Sequence, residues 1–232
     1  MNLLAVDTAG KTAGVAVMQN GRLLYECYLD GGMTHSQSLM TLIDTALQLT
    51  GLTPADIDLY GVNAGPGSFT GLRIGLAAVK GLAFAKNTLC APVSTLEALA
   101  ACHNGEGTVL CALDARRGQV YNAAFDLATH ARLTEDDAAA VDSLEDFVES
   151  CKKPLFFVGD GARLCYNKYG QVPGVMPIAA PLAMGRAVGV GLVAARMAEE
   201  GLAVPPAQLL PSYHRLSQAE RERAERLKAE SL

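Results

Sequence analysis

Ala64-Gly65-Pro66-Gly67-Ser68-Phe69-Thr70-Gly71-Leu72-Arg73-Ile74-Gly75 joins an apolar run at residues 57–62 to a run of helical spacing at residues 69–86. This order predicts a buried strand, a tight glycine-rich turn and a helix. Four glycines, one proline and two hydroxyl residues restrict the backbone so strongly that an ordinary surface loop is a poor explanation. We therefore expect the stretch, called the glycine-rich turn below, to carry part of the protein's function.

The glycine-rich turn has two interpretations. The N-terminus of a helix presents unpaired N–H groups and the positive end of the helix dipole, and glycines let a phosphate or carboxylate approach. The alternative is structural: a tight turn whose helix packs closely through its glycine face, with Ser68 or Thr70 only capping the helix. The turn lacks the Gly-Lys-Ser/Thr of a Walker A loop. The candidate residues for binding an anion or a nucleotide are Asp7, Thr8, Gly65, Gly67, Ser68, Thr70 and Arg73.

Upstream of this turn, the sequence predicts three antiparallel strands and a helix. Asn20-Gly21 between two apolar runs is a strong hairpin signal. The helix is predicted over residues 35–50, with apolar residues at helical spacing and Gly51 at its end. His35 stands at its start, where a lone histidine is expected on the surface. The strands are predicted over residues 2–6, 13–18 and 23–29.

The second half of the chain repeats the plan of the first. An apolar strand ends near Asp114, where the chain is predicted to turn back on itself, and the first strand ends at Asp7 in the same way. Residues 155–158 then run into Gly159-Asp160-Gly161, as residues 60–62 run into the glycine-rich turn. Such a duplication is typical of the actin, Hsp70 and sugar-kinase superfamily. It predicts an α/β, two-lobed, actin-like (ribonuclease H-like) fold in which mixed central sheets are flanked by helices.

In that architecture, the turn after the first strand of each half faces a cleft between the lobes. Asp7 can orient a magnesium-bound water or a phosphate there, or it can simply cap the turn. For Asp114 the capping role is favoured. We predict an N-terminal lobe over residues 1–102, a shortened C-terminal lobe over residues 103–215 and a charged tail over residues 216–232.

Composition excludes several classes of protein. Half of the 232 residues are hydrophobic, which suffices for a sizeable core. Lys and Arg total 19 against 24 Asp and Glu, a net charge of −5 that argues against a broad basic face but leaves room for a local basic patch. The six cysteines form no Cys-x-x-Cys pair, and no leader or long apolar span occurs. We expect a cytoplasmic protein with reduced thiols and no membrane contact.

Motifs for hydrolytic catalysis are missing from the sequence. The four histidines are scattered, with no His-x-x-x-His or His-Glu-x-x-His pair, and no Cys/His ligand set occurs. No Gly-x-Ser-x-Gly elbow occurs either. The sequence therefore predicts no metal site and no catalytic nucleophile.

The sequence resembles the TsaB (YeaZ) subunits of bacterial tRNA threonylcarbamoyladenosine synthesis. The matching elements occur in family order and cover nearly the whole chain, and the glycine-rich turn is the most specific of them. One departure stands out, since many relatives have Gly-Arg where this chain has Asn63-Ala64. The matching elements are residues 3–8, 35–37, 65–75, 94–99, 113–121, 159–161 and 211–213.

The resemblance implies a role in placing the threonylcarbamoyl group on N6 of adenosine 37 in tRNAs that read ANN codons. In that family the paralogue TsaD carries catalysis through a His-x-x-x-His motif, and the TsaB-like subunit binds and supports it. The chain is thus expected to be a non-catalytic partner subunit that forms a homodimer when alone, meets a TsaE-like ATPase through the complex and contacts tRNA indirectly. No tightly bound cofactor is expected, while ATP or ADP with magnesium at a partner interface stays open.

The family's partner face is formed by the first two helices, predicted here over residues 35–50 and 69–86. Two other functions stay as alternatives: a nucleotide-dependent phosphotransferase using Asp7 and the glycine-rich turn, and a glycoprotease-like peptidase, which is disfavoured because a nucleophile and metal ligands are missing. The expected partner contacts are His35, Leu39, Leu42, Ile43, Gly71, Gly75, Leu76 and Val79.

Overall fold

Two five-stranded mixed sheets form the frame of the computed structural model, which describes residues 1–213. The tail predicted over residues 216–232 lies outside the described residues. The first sheet contains β1 (Asn2–Asp7), β2 (Ala13–Gln19), β3 (Arg22–Leu29), β4 (Leu59–Gly65) and β5 (Leu89–Ser94), in the order β3-β2-β1-β4-β5. The second contains β6 (Thr108–Arg116), β7 (Gln119–Asp126), β8 (Asp137–Ala140), β9 (Leu155–Val158) and β10 (Val175–Met176), in the order β10-β9-β6-β7-β8.

Both sheets have the same topology. Strand β1 pairs antiparallel with β2 and parallel with β4, and strand β6 pairs antiparallel with β7 and parallel with β9. The central strands β1 and β6 are therefore equivalent, and their hairpin turns begin after Asp7 and around Asp114. The predicted duplication and the predicted mixed central sheets are confirmed.

Helices cover both faces of each sheet. The apolar spacing that predicted the first helix buries Leu39, Ile43 and Leu47, and Gly51 ends it with φ 69°. The helix is capped by Thr34 and Gln37, which bond each other's backbone. Within residues 1–213, no helix has the length and apolar character needed to cross a membrane. The helices are α1 (His35–Thr50), α2 (Phe69–Phe84), α3 (Thr95–Ala100), α4 (Glu145–Ser150), α5 (Ala162–Tyr169), α6 (Ala180–Ala183) and α7 (Ala187–Glu199).

The two lobes exchange helices. Helix α7, from the end of the described chain, packs on the first sheet, where Val190 and Ala194 lie against Gly61 of β4. Helix α3 packs Leu96 and Leu99 into the core of the second sheet. Each sheet is therefore covered in part by a helix from the other half of the sequence. The lobe boundaries after residues 102 and 215 stay a prediction.

Candidate functional site

A cleft between the lobes brings together residues from both hairpins. Its cavity has a volume of about 20 Å³. A cavity of this size holds a single water molecule, whereas small-molecule sites occupy roughly 300–1,000 Å³. In this conformation the cleft therefore does not fit a nucleotide. Its polar lining includes Asp7, Lys11, Thr12, Thr95 and Asp160.

The carboxylate of Asp7 is buried, with 5% of the residue exposed. Its Oδ1 accepts hydrogen bonds from Asn63 Nδ2 at 2.7 Å and from the backbone N–H of Ala9 at 3.1 Å. A side chain on Gly185 would begin 2.8 Å from Asp7 Oδ2, so this oxygen faces the far wall of the cleft. Asp7 therefore caps the turn and lines the cleft, and its role in orienting a magnesium-bound water or a phosphate stays a prediction.

Burial raises the pKa of the Asp7 carboxyl above 3.8, and the two hydrogen bonds only partly oppose this. A folded-state pKa above the unfolded value means that the folded protein holds its proton more tightly. Stability is then lost as pH rises from 3.8 through the folded pKa. We expect Asp7→Asn, which keeps an acceptor for Asn63 and Ala9, to have the higher melting temperature at pH 7 and to lose that advantage as pH falls toward 3.8. Thermal unfolding of both proteins across pH measures this, and parallel curves would contradict it.

The second hairpin contributes a different pair of carboxylates. Asp160 Oδ1 accepts the backbone N–H of Asp114 at 2.8 Å, and Asp114 Oδ1 accepts the backbone N–H of Arg116 at 2.8 Å. Asp114 thus caps its turn, as favoured from the sequence. Burial raises the pKa of Asp160, while the positive charges of Lys11 and Arg116 act in the opposite direction. Lys11 belongs to the first lobe, so a positive charge of the first lobe acts on a carboxylate of the second.

The glycines of the glycine-rich turn allow close contact with the turn between β1 and β2. A Cβ atom on Gly67 would lie 2.6 Å from the carbonyl oxygen of Ala9, and one on Gly71 would lie 2.1 Å from the carbonyl oxygen of Thr8. A Cβ atom on Gly75 would lie 2.4 Å from Thr8 Oγ1. The glycine face of α2 therefore packs against the chain's own first turn, in agreement with the structural interpretation.

Several polar groups of the turn make hydrogen bonds within the chain. The backbone N–H of Ser68 donates to the carbonyl of Ala9 at 2.7 Å, and Ser68 Oγ caps α2 by accepting the N–H of Gly71 at 3.2 Å. Thr8 Oγ1 donates to the carbonyl of Gly71 at 2.8 Å. Thr8 and Ser68 thus make hydrogen bonds within the chain and Gly67 packs against Ala9, while an anion-binding role of Thr8, Gly67 and Ser68 stays a prediction. Thr70 is exposed in the first turn of α2 and stays a prediction.

The end of the described chain closes over the same turn. The backbone N–H of Ser212 donates to the carbonyl of Ala64 at 2.8 Å, and a Cβ atom on Gly65 would lie 2.2 Å from the carbonyl oxygen of Ser212. Arg73 Nε donates to the Tyr213 hydroxyl at 2.8 Å, and its guanidinium lies 3.9 Å from the centre of the Phe69 ring. Gly65 and Arg73 thus contact the C-terminal segment, and their anion-binding role stays a prediction.

Most of the expected partner contacts are buried. Leu39, Ile43, Leu76 and Val79 lie in the core of the first lobe, and Gly71 and Gly75 lie against Thr8. These six residues pack within the chain, and their role in binding a partner stays a prediction. Leu42 is partly buried at the edge of the same core.

His35 also contacts its own chain. Its Nε2 lies 3.0 Å from the carbonyl oxygen of Gly10, and its Cδ2 is beside Gly71. Its Nδ1 is buried and has no hydrogen-bond partner in the structure. His35 therefore connects α1 to the turn after β1 rather than standing free on the surface.

The solvent side of α2 carries a stripe of small residues. Thr70, Arg73, Ala77, Gly81 and Phe84 are all exposed and recur every three or four positions, the spacing of one helix face. Nothing lies within 4 Å of a Cβ atom placed on Gly81, and Phe84 is 73% exposed. We call this surface the outer face of α2.

Sequence reasoning missed several residues of the cleft. Asn63, noted only as a departure from the family pattern, orients Asp7. The cleft also contains Lys11, Thr95 and Gly185. The first hairpin places Lys11 there, and the exchange of helices places Thr95 and Gly185 there, which no local pattern indicates. The Gly-Asp-Gly signal around Asp160 could have identified that residue. Within residues 1–213, no group of three His, Cys, Asp or Glu side chains is placed to hold a metal ion.

Comparison with known proteins identifies relatives whose names refer to tRNA threonylcarbamoyladenosine synthesis. The family model described as TsaD, tRNA N6-adenosine threonylcarbamoyltransferase, matches residues 31–177. A Bacillus subtilis protein named tRNA threonylcarbamoyladenosine biosynthesis protein TsaB is 30% identical over 226 residues, 95% of this chain and 96% of that one. The Escherichia coli protein of the same name is 36% identical over 128 residues, 54% of this chain and 55% of that one.

Solved structures with a similar fold include relatives of the same kind. YeaZ from Pseudomonas aeruginosa superposes with a TM-score of 0.74 at 27% identity, over 91% of this chain and 99% of that one. A component of (R)-2-hydroxyglutaryl-CoA dehydratase from Acidaminococcus fermentans, at 12% identity and a TM-score of 0.53, shares only the fold. The expected two-lobed actin-like architecture is confirmed. From its near-complete alignment with the Bacillus subtilis protein, the chain belongs to the TsaB family.

Proposed function

We propose that this protein is an accessory subunit of tRNA threonylcarbamoyladenosine synthesis, which binds and supports a separate TsaD-like threonylcarbamoyltransferase. The observation that carries the proposal is the alignment with the Bacillus subtilis TsaB protein, because it spans 95% of this chain. The lack of a three-ligand metal group within residues 1–213 supports a partner that supplies the catalytic centre. The protein would act in the cytoplasm, where tRNA is modified.

The cleft argues against a nucleotide-dependent phosphotransferase. Its cavity of about 20 Å³ does not fit a nucleotide, and two N–H groups of the glycine-rich turn, those of Ser68 and Gly71, are bonded to Ala9 and to Ser68 Oγ. ATP or ADP with magnesium, where the complex uses it, would then sit at the partner interface rather than in this chain alone. A TsaE-like ATPase would join through the complex.

The outer face of α2 is the surface that we assign to the partner. It lies on one of the two helices that the family resemblance implicates, and its small residues let another helix approach closely. Ala77 and Gly81 lie at its centre, between the exposed side chains of Arg73 and Phe84. The same face would serve a second copy of the chain when the transferase is absent.

The proposed function is tested by measuring the modified nucleoside in cells. In a bacterium depleted of its own TsaB, expression of this chain with its cognate transferase should restore N6-threonylcarbamoyladenosine in digested total tRNA, measured by mass spectrometry. Expression of this chain or the transferase alone serves as the control, and neither should restore it fully. A normal level with the transferase alone would contradict an accessory role.

A further inference from the structure

The turn between β6 and β7 holds two arginines in an unfavourable backbone conformation. Arg116 has φ 67° and Arg117 has φ 57°, followed by Gly118 at φ 72°. Two-residue hairpin turns with positive φ normally use Asn, Asp or Gly, because a side chain of arginine's size is strained there. Strained residues are kept where the side chain has a function, so the tip of this hairpin is a candidate site.

Both arginines are exposed, and of the two only Arg116 has an acidic partner within residues 1–213. Arg116 makes only a 3.4 Å contact with Asp114, and 77% of its side chain is exposed. Arg117 is exposed, with no side-chain partner within residues 1–213. Arg117 therefore adds a positive charge without an ion-pair partner at the tip of this hairpin, in a chain of net charge −5.

The equivalent hairpin of the first lobe adds a third cation. Lys11 lies in the turn between β1 and β2, is exposed and lines the mouth of the cleft. Lys11 and Asp160 line the same cavity, and Asp160 accepts the backbone N–H of Asp114, the ion-pair partner of Arg116, so Lys11 and Arg116 approach one carboxylate from opposite lobes. The duplicated hairpins thus place basic side chains on both sides of one entrance.

We propose that Lys11, Arg116 and Arg117 form a phosphate-binding site at the mouth of the cleft that contacts the sugar-phosphate backbone of the RNA substrate. The inference rests on the proposed function and goes beyond it, since it gives this subunit a direct contact with tRNA. Guanidinium groups bind phosphate oxygens in pairs, and exposed cations on two separate elements suit a ligand whose phosphates are spaced along a chain. The cavity behind them is too small for a free nucleotide.

Binding of a fluorescent tRNA transcript to the complex of this chain with its transferase tests the site. Arg117→Glu should weaken binding roughly fivefold and make the dependence of log K on log salt shallower by about one. Arg22→Glu is the matched control, because Arg22 is also an exposed arginine beside a hairpin turn, at the opposite end of the first sheet. The control should bind as the wild type does.

A second variant separates binding from folding. Arg117→Gly removes the backbone strain, so its melting temperature should rise by about 2–4 °C while binding of the transcript weakens. Unchanged affinity and salt dependence in both Arg117 variants would overturn the site, as would an equal loss in Arg22→Glu. A thermal shift by ATP that Arg117→Glu abolishes without loss of tRNA affinity would reassign it to a free nucleotide. A wild-type complex that does not bind the transcript would overturn the proposed function as well.

Discussion

Gly71→Ala is expected to destabilise the protein by about 2–3 kcal/mol, although alanine is favoured over glycine inside a helix by roughly 1 kcal/mol. The added methyl group would lie 2.1 Å from the carbonyl oxygen of Thr8, which belongs to the backbone and cannot rotate away. Gly75→Ala should also be destabilising, because its methyl group would lie 2.4 Å from Thr8 Oγ1. Chemical denaturation of each variant measures the loss, which corresponds to roughly 5–10 °C in melting temperature.

Gly81→Ala and Thr8→Ala provide the controls. Gly81 lies in the same helix with open space around it, so Gly81→Ala should stabilise the protein by up to about 1 kcal/mol. Thr8→Ala removes Thr8 Oγ1, the atom that the methyl group of Gly75→Ala would contact. It keeps the carbonyl oxygen of Thr8, which the methyl group of Gly71→Ala would contact. In double-mutant cycles it should therefore offset part of the cost of Gly75→Ala and none of the cost of Gly71→Ala. Equal effects of alanine at all three glycines would contradict the described packing of α2.

Gly81→Trp is expected to weaken binding of the transferase by roughly a hundredfold or more while the protein stays folded. Gly81 lies at the centre of the outer face of α2, where a Cβ atom meets nothing within 4 Å. The indole would therefore project into the space that a partner helix must occupy, without disturbing the core. Calorimetric titration of the transferase with the variant measures the loss of affinity.

Gly81→Ala is the matched control for this binding experiment as well. A methyl group keeps the face small, so Gly81→Ala should bind the transferase within a few-fold of the wild type. Self-association, measured by sedimentation, should fall in parallel in Gly81→Trp, since a second copy would use the same face. Normal transferase binding by a folded Gly81→Trp protein would remove the outer face of α2 from the interface.

The secondary structure near the glycine-rich turn could be predicted because local signals decide it there. Apolar spacing and Gly51 determine α1, and the alternation around Asn20-Gly21 determines the β2–β3 hairpin. The helix exchange could not be predicted in this way. Nothing local in residues 187–199 shows that α7 returns to the first sheet, since its apolar face would suit either sheet.

The sequence does not indicate which part of the chain packs on the glycine face of α2. Spacing of four shows that Gly71 and Gly75 share a face with Leu72 and Leu76, but it does not show whether a partner or the same chain fills that face. The structure answers this through Thr8, which is distant in sequence and reaches α2 because β1 and β4 are neighbours. Most of the residues expected at the interface therefore pack within the first lobe, and we propose that a partner uses the opposite side of α2 instead.

Reconstitution of the modification reaction from purified components tests the accessory role most directly. The initial rate of N6-threonylcarbamoyladenosine formation on a tRNA transcript is measured with an activated threonylcarbamoyl donor and the transferase, together with wild-type chain, Gly81→Ala, Gly81→Trp or no addition. We expect full rates with the wild type and Gly81→Ala, and rates near those of the transferase alone with Gly81→Trp. Formation of the modified nucleoside by this chain without the transferase, or equal rates in all four reactions, would contradict the accessory role.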